Sequence, residues 1–301
     1  MSTVGFVGLG NIGSRVVVHL VKAGHDVAVF DLNDDVVAAA VEQGARSVAS
    51  PSEAAQGAEA LFLSLPTPAI VESVVTEVLA SAAPGLVIVD HSTIDPTTSR
   101  RLAVAAGEAG SAFLDAPVSG GVQGAEAGSL AVMVGGTREA LESVRPLVET
   151  YAGNLVHTGP SGTGQAVKLA NNQITAATIV ALGEGLSTAV AAGVDLDIAV
   201  KVLTSASANS NVLSNYFPRT LFTAERPTGF ALDFMHKDLG LFLDAAREAG
   251  LPVPLTSIVR DLFSIGQRDG RGGSDFTSVV EFYEDFTGNR LQTAAAKEGG
   301  K

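Results

Sequence analysis

Lys168 and Asn172 are the residues whose types and spacing point most directly to proton transfer. They lie four positions apart in the segment GTGQAVKLANN, residues 162–172, inside a long helical pattern. Residues four apart share one helix face, so the lysine and the carboxamide could form a catalytic pair. The segment alone fits equally well a solvent-facing lysine beside an asparagine that bonds its own helix. The surrounding sequence has to decide between these readings.

A glycine pattern near the N-terminus has the form of a dinucleotide-binding loop. Residues 3–7 are a short apolar run, the pattern G-x-G-x-x-G follows, and helical periodicity comes next. In such loops the glycines allow a tight turn, a close approach of the backbone to a pyrophosphate, and tight packing of helix on strand. The helix N-terminus then offers N–H groups to the phosphates. The predicted cofactor-binding residues of the loop are Gly8, Gly10, Asn11, Ile12 and Gly13.

Asp31 completes the predicted cofactor site. It lies 18 residues after Gly13, at the end of a second apolar run over residues 27–30, where a carboxylate can hydrogen-bond the ribose hydroxyls. A carboxylate repels a 2′-phosphate, and no arginine follows in DLNDD, so NAD is predicted in preference to NADP. A glycine loop with a purely structural role is the alternative, and the strand–turn–helix–strand–acid context disfavours it.

Strand and helix patterns alternate through the first half of the chain. Strands are predicted at residues 60–65, 86–90 and 112–118, with helices between them, which indicates a doubly wound parallel sheet. Ligands of such sheets bind beyond the carboxyl ends of the strands. Leu65, Pro66 and Thr93 are therefore predicted to lie along the cofactor, although loop punctuation or a helix cap explains any one of them equally well.

The segment Ser119-Gly120-Gly121 is a glycine-rich bend between two predicted strands. Backbone N–H groups of consecutive small residues can hold a carboxylate without an arginine. The next strand is predicted at residues 130–134. The stretch between the bend and this strand is long for a hairpin and rich in Gly and Ala. We interpret it as an anion-binding loop, with a plain turn as the alternative.

The second half reads as helical throughout. A helix of about 30 residues is predicted from residue 162 to about 193, with further helices at 197–203, 230–249, 254–267 and 275–286 and a frayed tail from 293. The predicted domains are 1–161, a Rossmann-type NAD(P)-binding domain, and 162–301, an all-α domain that begins with the long interdomain helix. Lys237 lies in one apolar helix, where its charge must reach solvent or meet an anion. A salt bridge to Asp233 or Asp238 is the alternative.

Composition narrows the class of function. The chain has 301 residues, a formal net charge of −13 and no cysteine, which argues against nucleic-acid binding and excludes thiolate chemistry. The five histidines are scattered without metal-ligand spacing. No signal-peptide pattern or uninterrupted membrane-length apolar run is visible. We therefore expect a cytoplasmic protein without a metal and with no nucleic-acid or membrane partner.

Four motifs in order make the sequence similar to the β-hydroxyacid dehydrogenases, the family of 3-hydroxyisobutyrate dehydrogenase and tartronate semialdehyde reductase. They are GLGNIG with its acid, DAPVSGG followed by MVGG, GTGQAVKLANN, and HKDLGL. The resemblance extends from Gly5 to about Phe286. It departs at Ile12, where the family usually has Met, a change of similar bulk. Related phosphogluconate enzymes usually have His in place of Asn171, and imine reductases lack the lysine at 168.

The resemblance implies an NAD(P)-dependent oxidation of a small β-hydroxy acid to its semialdehyde, or the reverse, in a homodimer or homotetramer. Lys168 would be the acid/base and Asn172 would orient it or the substrate. Burial in an apolar cleft would suit such a lysine, because burial lowers its pKa. Ser119, Gly120 and Gly121 would hold the substrate carboxylate, Lys237 would lie near substrate and cofactor, and Thr93 near the nicotinamide. The alternatives are reduction of tartronate semialdehyde (2-hydroxy-3-oxopropionate) or another short semialdehyde and, in another class, a non-catalytic NAD(H) sensor.

Overall fold

The computed structural model describes residues 1–298, and they form two compact units divided between Leu169 and Ala170. The first unit is a sheet with helices on both faces and the second is helical, so the predicted fold class is confirmed. The division falls inside one helix. The predicted domain limits, 1–161 and 162–301, stay a prediction.

The first unit is built on one nine-stranded sheet. Its strands are β1 Thr3–Val7, β2 Asp26–Phe30, β3 Arg46–Ser47, β4 Ala60–Leu63, β5 Val87–Asp90, β6 Ala112–Asp115, β7 Val118–Ser119, β8 Leu130–Gly135 and β9 Ala152–Gly159. The order is β3-β2-β1-β4-β5-β6-β8-β7, with β9 paired to β8. Strands β1 to β6 are parallel, and the strand order reverses between β1 and β4. Such a switch point is where open parallel sheets bind ligands.

The register of the sheet aligns the carboxyl ends of five strands. Phe30, Val7, Leu63, Asp90 and Asp115 are successive partners across the sheet. The residues that follow these strand ends therefore emerge along one edge. The predicted cofactor loops, which follow β1, β4 and β5, begin at this edge.

Both faces of the central strands are buried, which is why they read as continuous apolar runs. Ala60 and Phe62 of β4 belong to the cluster on one face, together with residues of the helix after β1. Leu61 and Leu63 belong to the cluster on the other face. The alternation follows from the two-residue period of a strand.

Helices cover the two faces of this sheet. They are α1 Gly13–Lys22, α2 Asp34–Glu42, α3 Pro51–Ala55, α4 Pro68–Leu79, α5 Pro96–Glu108, α6 Gly121–Glu126, α7 Arg138–Val148 and the start of α8 Thr163–Ala191. Local sequence fixes several starts, because Ser50, Thr67, Asp95 and Thr137 accept a hydrogen bond from a first-turn N–H. Pro96 is the first residue of α5, a position at which the backbone N–H is not needed.

The structure corrects three details of the first half. The predicted strand 112–118 is two strands, β6 and β7, because Pro117 between them has no N–H to offer the ladder. The segment between β7 and β8 contains the short helix α6 rather than only a bend. The short elements β3 and α3 were not predicted, since two and five residues carry too little periodicity to detect.

The second unit packs helices around its own core. Its elements are the rest of α8, then α9 Leu196–Ser205, α10 Leu232–Glu248, α11 Pro254–Arg268, α12 Glu281–Thr287 and α13 Ala294–Glu298, with a π-helical turn Val212–Tyr216 and 3-10 turns Phe217–Arg219 and Phe276–Val280. The predicted helix 275–286 is therefore a 3-10 turn followed by α12. One isolated β-bridge joins Ala231 to Asp275. The tail expected to fray forms α13, and residues 299–301 lie outside the described residues.

Helix α8 is long and apolar enough to cross a membrane by length and composition alone. The core helix of a soluble protein satisfies the same test. Gln165, Lys168 and Asn172 on α8 are buried polar residues. The side chain of Gln165 donates to the Ser92 carbonyl oxygen and that of Asn172 donates to Asp238. The absence of a membrane partner stays an expectation.

Candidate active site

The glycine loop after β1 has the geometry that a bound pyrophosphate requires. A Cβ on Gly8, whose φ is +95°, would lie 2.3 Å from the Ser64 carbonyl oxygen, and a Cβ on Gly13 would lie 2.0 Å from the Gly8 carbonyl oxygen. Only glycine fits at these two positions. A Cβ on Gly10 would meet nothing within 4 Å, so this part of the loop is open to a ligand. Ile12 precedes α1 without a side-chain cap, which leaves the helix N-terminus to accept an anion.

Asp31 is anchored at the end of β2, half-exposed at the sheet edge. Its Oδ2 accepts a hydrogen bond from the Leu9 N–H at 2.6 Å, and its Oδ1 accepts one from the Asn33 N–H at 2.9 Å. The carboxylate is therefore fixed directly beside the glycine loop. Asp34 and Asp35 follow in the first turn of α2, which adds negative charge to this side of the site.

The loops after β4 and β5 are tied together. The Leu65 N–H donates to Ser92 Oγ at 2.8 Å, and the Ser92 N–H donates to Asp90 Oδ1 at 3.0 Å. Leu65 and Thr93 are half-buried and Pro66 is exposed. These three predicted residues thus lie beside the strand switch point, as a cofactor along this edge would need.

The Ser119-Gly120-Gly121 segment leads from β7 into α6. Ser119 pairs with Ala131 of β8, and Gly120 and Gly121 have φ of +131° and +61°, a region of backbone space that favours glycine. The segment therefore turns sharply and presents the first-turn N–H groups of α6, which have no acceptor within the helix.

Arg15 connects the cofactor loop to the helix that follows this segment. Its Nη1 donates to the Asn11 carbonyl oxygen at 2.8 Å, and its Nε donates to Glu126 Oε1 at 2.8 Å. One half-exposed side chain of α1 thus bridges the glycine loop and the far end of α6. The predicted cofactor and substrate loops are held relative to each other.

Lys168 lies in the second turn of α8 and is 8% exposed, which excludes the solvent-facing interpretation. The start of α8 packs tightly on the sheet, because a Cβ on Gly164 would lie 2.4 Å from the Met133 carbonyl oxygen of β8. Met133 is two residues from Ala131, the partner of Ser119. Strand β8 therefore supports both the lysine helix and the Ser119-Gly120-Gly121 segment.

Asp115 holds the N-terminus of α8 and was not recognised from the sequence. It is fully buried at the end of β6, where Oδ1 accepts from the Gly162 N–H at 2.7 Å and Oδ2 from the Gln165 N–H at 3.0 Å. Burial raises the pKa of the Asp115 carboxyl, and the backbone N–H bonds oppose that rise. Its negative charge meets the partial positive charge of the helix start.

The second unit contains the partners of Asn172. Asn172 Nδ2 donates to Asp238 Oδ2 at 2.6 Å, and Asn172 Oδ1 accepts from Asn171 Nδ2 at 3.1 Å. Lys237 Nζ forms an ion pair with Asp238 Oδ1 at 2.9 Å. Of the two predicted partners, Asp238 is the one that forms the ion pair with Lys237, and Asp233 accepts a hydrogen bond from Gln267 Nε2.

Sequence reasoning missed three positioning residues, Asp115, Gln165 and Asp238. Asp115 reads as the end of a buried strand, Gln165 as an ordinary helix residue, and Asp238 as a surface partner for Lys237. Their buried polar atoms gain meaning only from partners 47 to 73 residues away. Within residues 1–298 no group of three or more acidic or histidine side chains is placed to hold a metal ion.

Two family models together match most of the chain. Residues 3–159 match the NAD-binding domain of 6-phosphogluconate dehydrogenase. Residues 162–283 match the NAD-binding domain of NADP-dependent 3-hydroxyisobutyrate dehydrogenase. The chain therefore carries NAD(P)-binding domains.

Relatives match over nearly their whole length. 2-(Hydroxymethyl)glutarate dehydrogenase of Eubacterium barkeri is 35% identical, with 95% of this chain and 96% of the relative covered. NAD-dependent L-serine dehydrogenase of Pseudomonas aeruginosa is 36% identical, with 96% and 100% covered. A structure of Mycobacterium tuberculosis 3-hydroxyisobutyrate dehydrogenase with L-serine superposes with a TM-score of 0.87 at 35% identity, covering 94% of this chain and 99% of that one.

Proposed function

Because the chain belongs to the β-hydroxyacid dehydrogenase family, and is thus an NAD(P)-dependent dehydrogenase acting on CH–OH groups, we propose that it interconverts a short β-hydroxy acid and its semialdehyde. The observation that carries this is the burial of Lys168 at the start of α8, on the strand that also supports the Ser119-Gly120-Gly121 segment. A proton-transfer group and an anion-binding loop thus share one support.

The relatives' names suggest the substrate class. 3-Hydroxyisobutyrate, L-serine and 2-(hydroxymethyl)glutarate all contain the unit HOCH2–CH(R)–COO⁻ and differ in R. The substrate proposed here is accordingly a 2-substituted 3-hydroxypropanoate. Glycerate, the product of tartronate semialdehyde reduction, has the same unit with a hydroxyl as R, so that reductase activity is the alternative within the class.

The mechanism divides the work between cofactor and protein. The nicotinamide supplies the hydride chemistry when it is bound. Lys168 takes the hydroxyl proton of the acid, or returns it to the carbonyl oxygen in the reverse reaction. The Ser119-Gly120-Gly121 segment holds the carboxylate. The carboxamide of Asn172, fixed by Asp238, orients the lysine or the substrate.

NAD is the proposed cofactor in preference to NADP. Asp31 is held beside the glycine loop by two backbone N–H groups, where it accepts from ribose hydroxyls and repels a 2′-phosphate. Asp34 and Asp35 in the next turn strengthen the repulsion. A relative of 36% identity is named as NAD-dependent, which supports the same preference.

The test is a panel of short hydroxy acids with NAD and NADP in parallel, followed by the absorbance of reduced nicotinamide. The panel contains 3-hydroxyisobutyrate, L-serine, glycerate, 2-(hydroxymethyl)glutarate and the chain-extended control 4-hydroxybutyrate. Turnover of 3-hydroxypropanoates with NAD is expected. No turnover of any compound, together with tight NADH binding, would instead favour an NAD(H)-sensing protein.

Lys168→Ala tests the acid/base assignment. A positioned acid/base contributes about 10²–10⁴-fold, so kcat should fall by that factor while NADH binding persists. Lys201→Ala is the matched control, because Lys201 is an exposed lysine of α9. An alanine variant at 168 that kept a tenth of the wild-type rate would refute the role.

Location and assembly remain proposals from the sequence. A cytoplasmic homodimer or homotetramer is expected, since the family resemblance implies an oligomer. Light scattering of the purified protein measures the oligomeric state, and a monomeric mass at working concentration would contradict the proposed oligomer.

A further inference from the structure

Gln165 makes an unusual pair of buried hydrogen bonds. The side chain has no exposed surface. Its Nε2 donates to the Ser92 carbonyl oxygen at 2.7 Å, and its Oε1 accepts from the Ile94 N–H at 3.2 Å. These two backbone groups flank Thr93, so the side-chain amide pairs with the loop as a neighbouring strand would.

The same residue belongs to the turn that carries Lys168. Its own N–H donates to the buried Asp115 carboxylate at 3.0 Å, which fixes the backbone from which both side chains extend. Residues three apart on a helix are neighbours, so the amide that clamps the Thr93 loop lies one turn before the lysine. A shift of that loop must therefore move or break a contact of the lysine helix.

The connection continues toward the cofactor. Ser92, whose carbonyl oxygen accepts from Gln165, also accepts through Oγ from the Leu65 N–H. The loops after β4 and β5 are thus joined to one amide on α8. Both loops begin at the aligned strand ends of the parallel sheet, where the cofactor is expected.

We propose that Gln165 is a positioning residue that sets the Thr93 loop, and with it the nicotinamide, in register with Lys168. The inference rests on the proposed function, in which hydride transfer and proton transfer occur on one substrate. Proton transfer needs donor and acceptor about 2.6–3.2 Å apart, and a misplacement of about 1 Å can cost about 10²-fold in rate. An amide that joins the two groups directly limits their relative movement.

A side chain that only filled the core would behave differently. Its removal would lower stability without a specific loss of kcat. Gln165→Leu keeps similar bulk and loses both hydrogen bonds. Gln165→Glu loses the donor to the Ser92 carbonyl when ionised and regains it when protonated, because a carboxylic acid has one O–H donor.

The charged groups around position 165 are those of its neighbouring elements. Asp115 accepts from its backbone N–H, Asp90 accepts from the Ser92 N–H, and Lys168 follows on the helix. The wild type and the Glu variant share these groups. The ratio of the two kcat values therefore cancels most of the pH dependence that these groups cause.

The experiment compares wild type, Gln165→Leu, Gln165→Glu and Lys168→Ala on the best substrate of the panel. For Gln165→Leu we expect kcat to fall about 10–100-fold, with the Kd for NADH within about threefold of wild type, since the pyrophosphate and ribose contacts are intact. For Gln165→Glu the kcat ratio to wild type should rise at least about fivefold between pH 9 and pH 6 as the carboxyl protonates.

Val144→Ala is the stability control, because Val144 is a buried residue of α7. It should lower the melting temperature and leave kcat within about twofold. A Gln165→Leu variant with kcat within twofold of wild type, or a flat pH ratio for Gln165→Glu, would overturn the inference. If Lys168→Ala is inactive in the same series, only the role of Gln165 is refuted. If Lys168→Ala keeps the wild-type kcat, or if no compound of the panel is turned over, the proposed function itself fails.

Discussion

Two helix starts at the same sheet are built in opposite ways. Helix α1 begins after an open glycine loop, with no side-chain cap and no acidic residue in its first turn. Helix α8 begins on the buried carboxylate of Asp115, which occupies the N–H groups of Gly162 and Gln165. One N-terminus is left for an external anion and the other is neutralised by the protein.

The difference assigns a different task to each helix. A helix N-terminus attracts anions through its N–H groups and dipole, so the open start of α1 is suited to a pyrophosphate. The start of α8 cannot bind a second anion, because Asp115 already fills it. Its task is to fix Lys168, and a buried ionic cap gives a more rigid anchor than a solvated one. Four substitutions test this contrast.

Asp115→Ala should have the largest effect, because it gives α8 an uncapped start within the core. Orphaning buried N–H groups costs about 1–3 kcal/mol each, so we expect a loss of about 3 kcal/mol in the free energy of unfolding and a lower kcat. The measurement is chemical denaturation. The control is Asp95→Ala, the half-buried cap of α5, which should cost about 1 kcal/mol. Equal losses in the two variants would mean that the cap of α8 is not special.

Acid should lower the free energy of unfolding through His91, which follows β5 at the sheet edge between the two helix starts. Burial lowers the pKa of His91 to about 4 from 6.5, against a hydrogen bond to the Ala116 carbonyl that raises it. Its Nε2 accepts from the Tyr151 hydroxyl at 2.8 Å, which requires the neutral ring. The unfolded chain takes up a proton below pH 6.5 and the folded chain does not. The contribution of neutral His91 to the free energy of unfolding is therefore fully present above pH 6.5 and is lost as the pH falls toward 4, by about 2–3 kcal/mol at pH 4.5.

His91→Asn tests this pH dependence. The variant should be less stable at neutral pH but should lack the loss between pH 6.5 and 4.5, as measured by urea denaturation across that range. Val89→Ala, a buried neighbour on β5, should be destabilised with the wild-type pH slope. An Asn variant that retained the full slope would show that other groups cause it.

Asp31→Ser should weaken the discrimination at the open helix start. Removing the carboxylate beside the glycine loop removes the repulsion of a 2′-phosphate, so the ratio of kcat/KM for NAD over NADP should fall about tenfold. Asp34→Ser is the matched control, because it removes an equal charge from a carboxylate other than the one that accepts from the Leu9 and Asn33 N–H groups. It should change the ratio less than Asp31→Ser does. An unchanged ratio in Asp31→Ser would refute the assignment of cofactor preference to Asp31.

Asn11→Asp should give the smallest effect. It places a carboxylate near the N-terminus of α1, as Asp115 already does at the N-terminus of α8. The added carboxylate is exposed and screened by salt, so NADH affinity should fall about threefold at low salt and less at high salt. Asn154→Asp, on the exposed edge strand β9, adds the same charge elsewhere and should leave the affinity unchanged. Equal affinities in both variants would mean that the open N-terminus does not contact the phosphates.

Much of the first unit was predictable because its signals are local. The order of strands and helices, the glycine loop, Asp31 at the end of β2 and the cap at Asp95 depend on residues a few positions apart. The observed strand limits differ from the predicted ones at Pro117, which interrupts the ladder between β6 and β7. Elements as short as β3 and α3 contain too few residues to show a periodic pattern. The two interpretations left open for Lys168 were separated by its burial, a property that helical spacing alone does not determine.

By itself the sequence determined that a dinucleotide-type loop, an acid, a glycine-rich bend and a lysine occur in an order typical of one family. The tertiary structure alone decided which buried groups hold them. Asp115 reaches Gly162 across 47 residues, Gln165 reaches Ser92 across 73, and Asp238 reaches Asn172 across 66. The reason is physical: a buried polar group requires a partner, but which partner it obtains depends on the sheet register and helix packing that bring distant parts of the chain together.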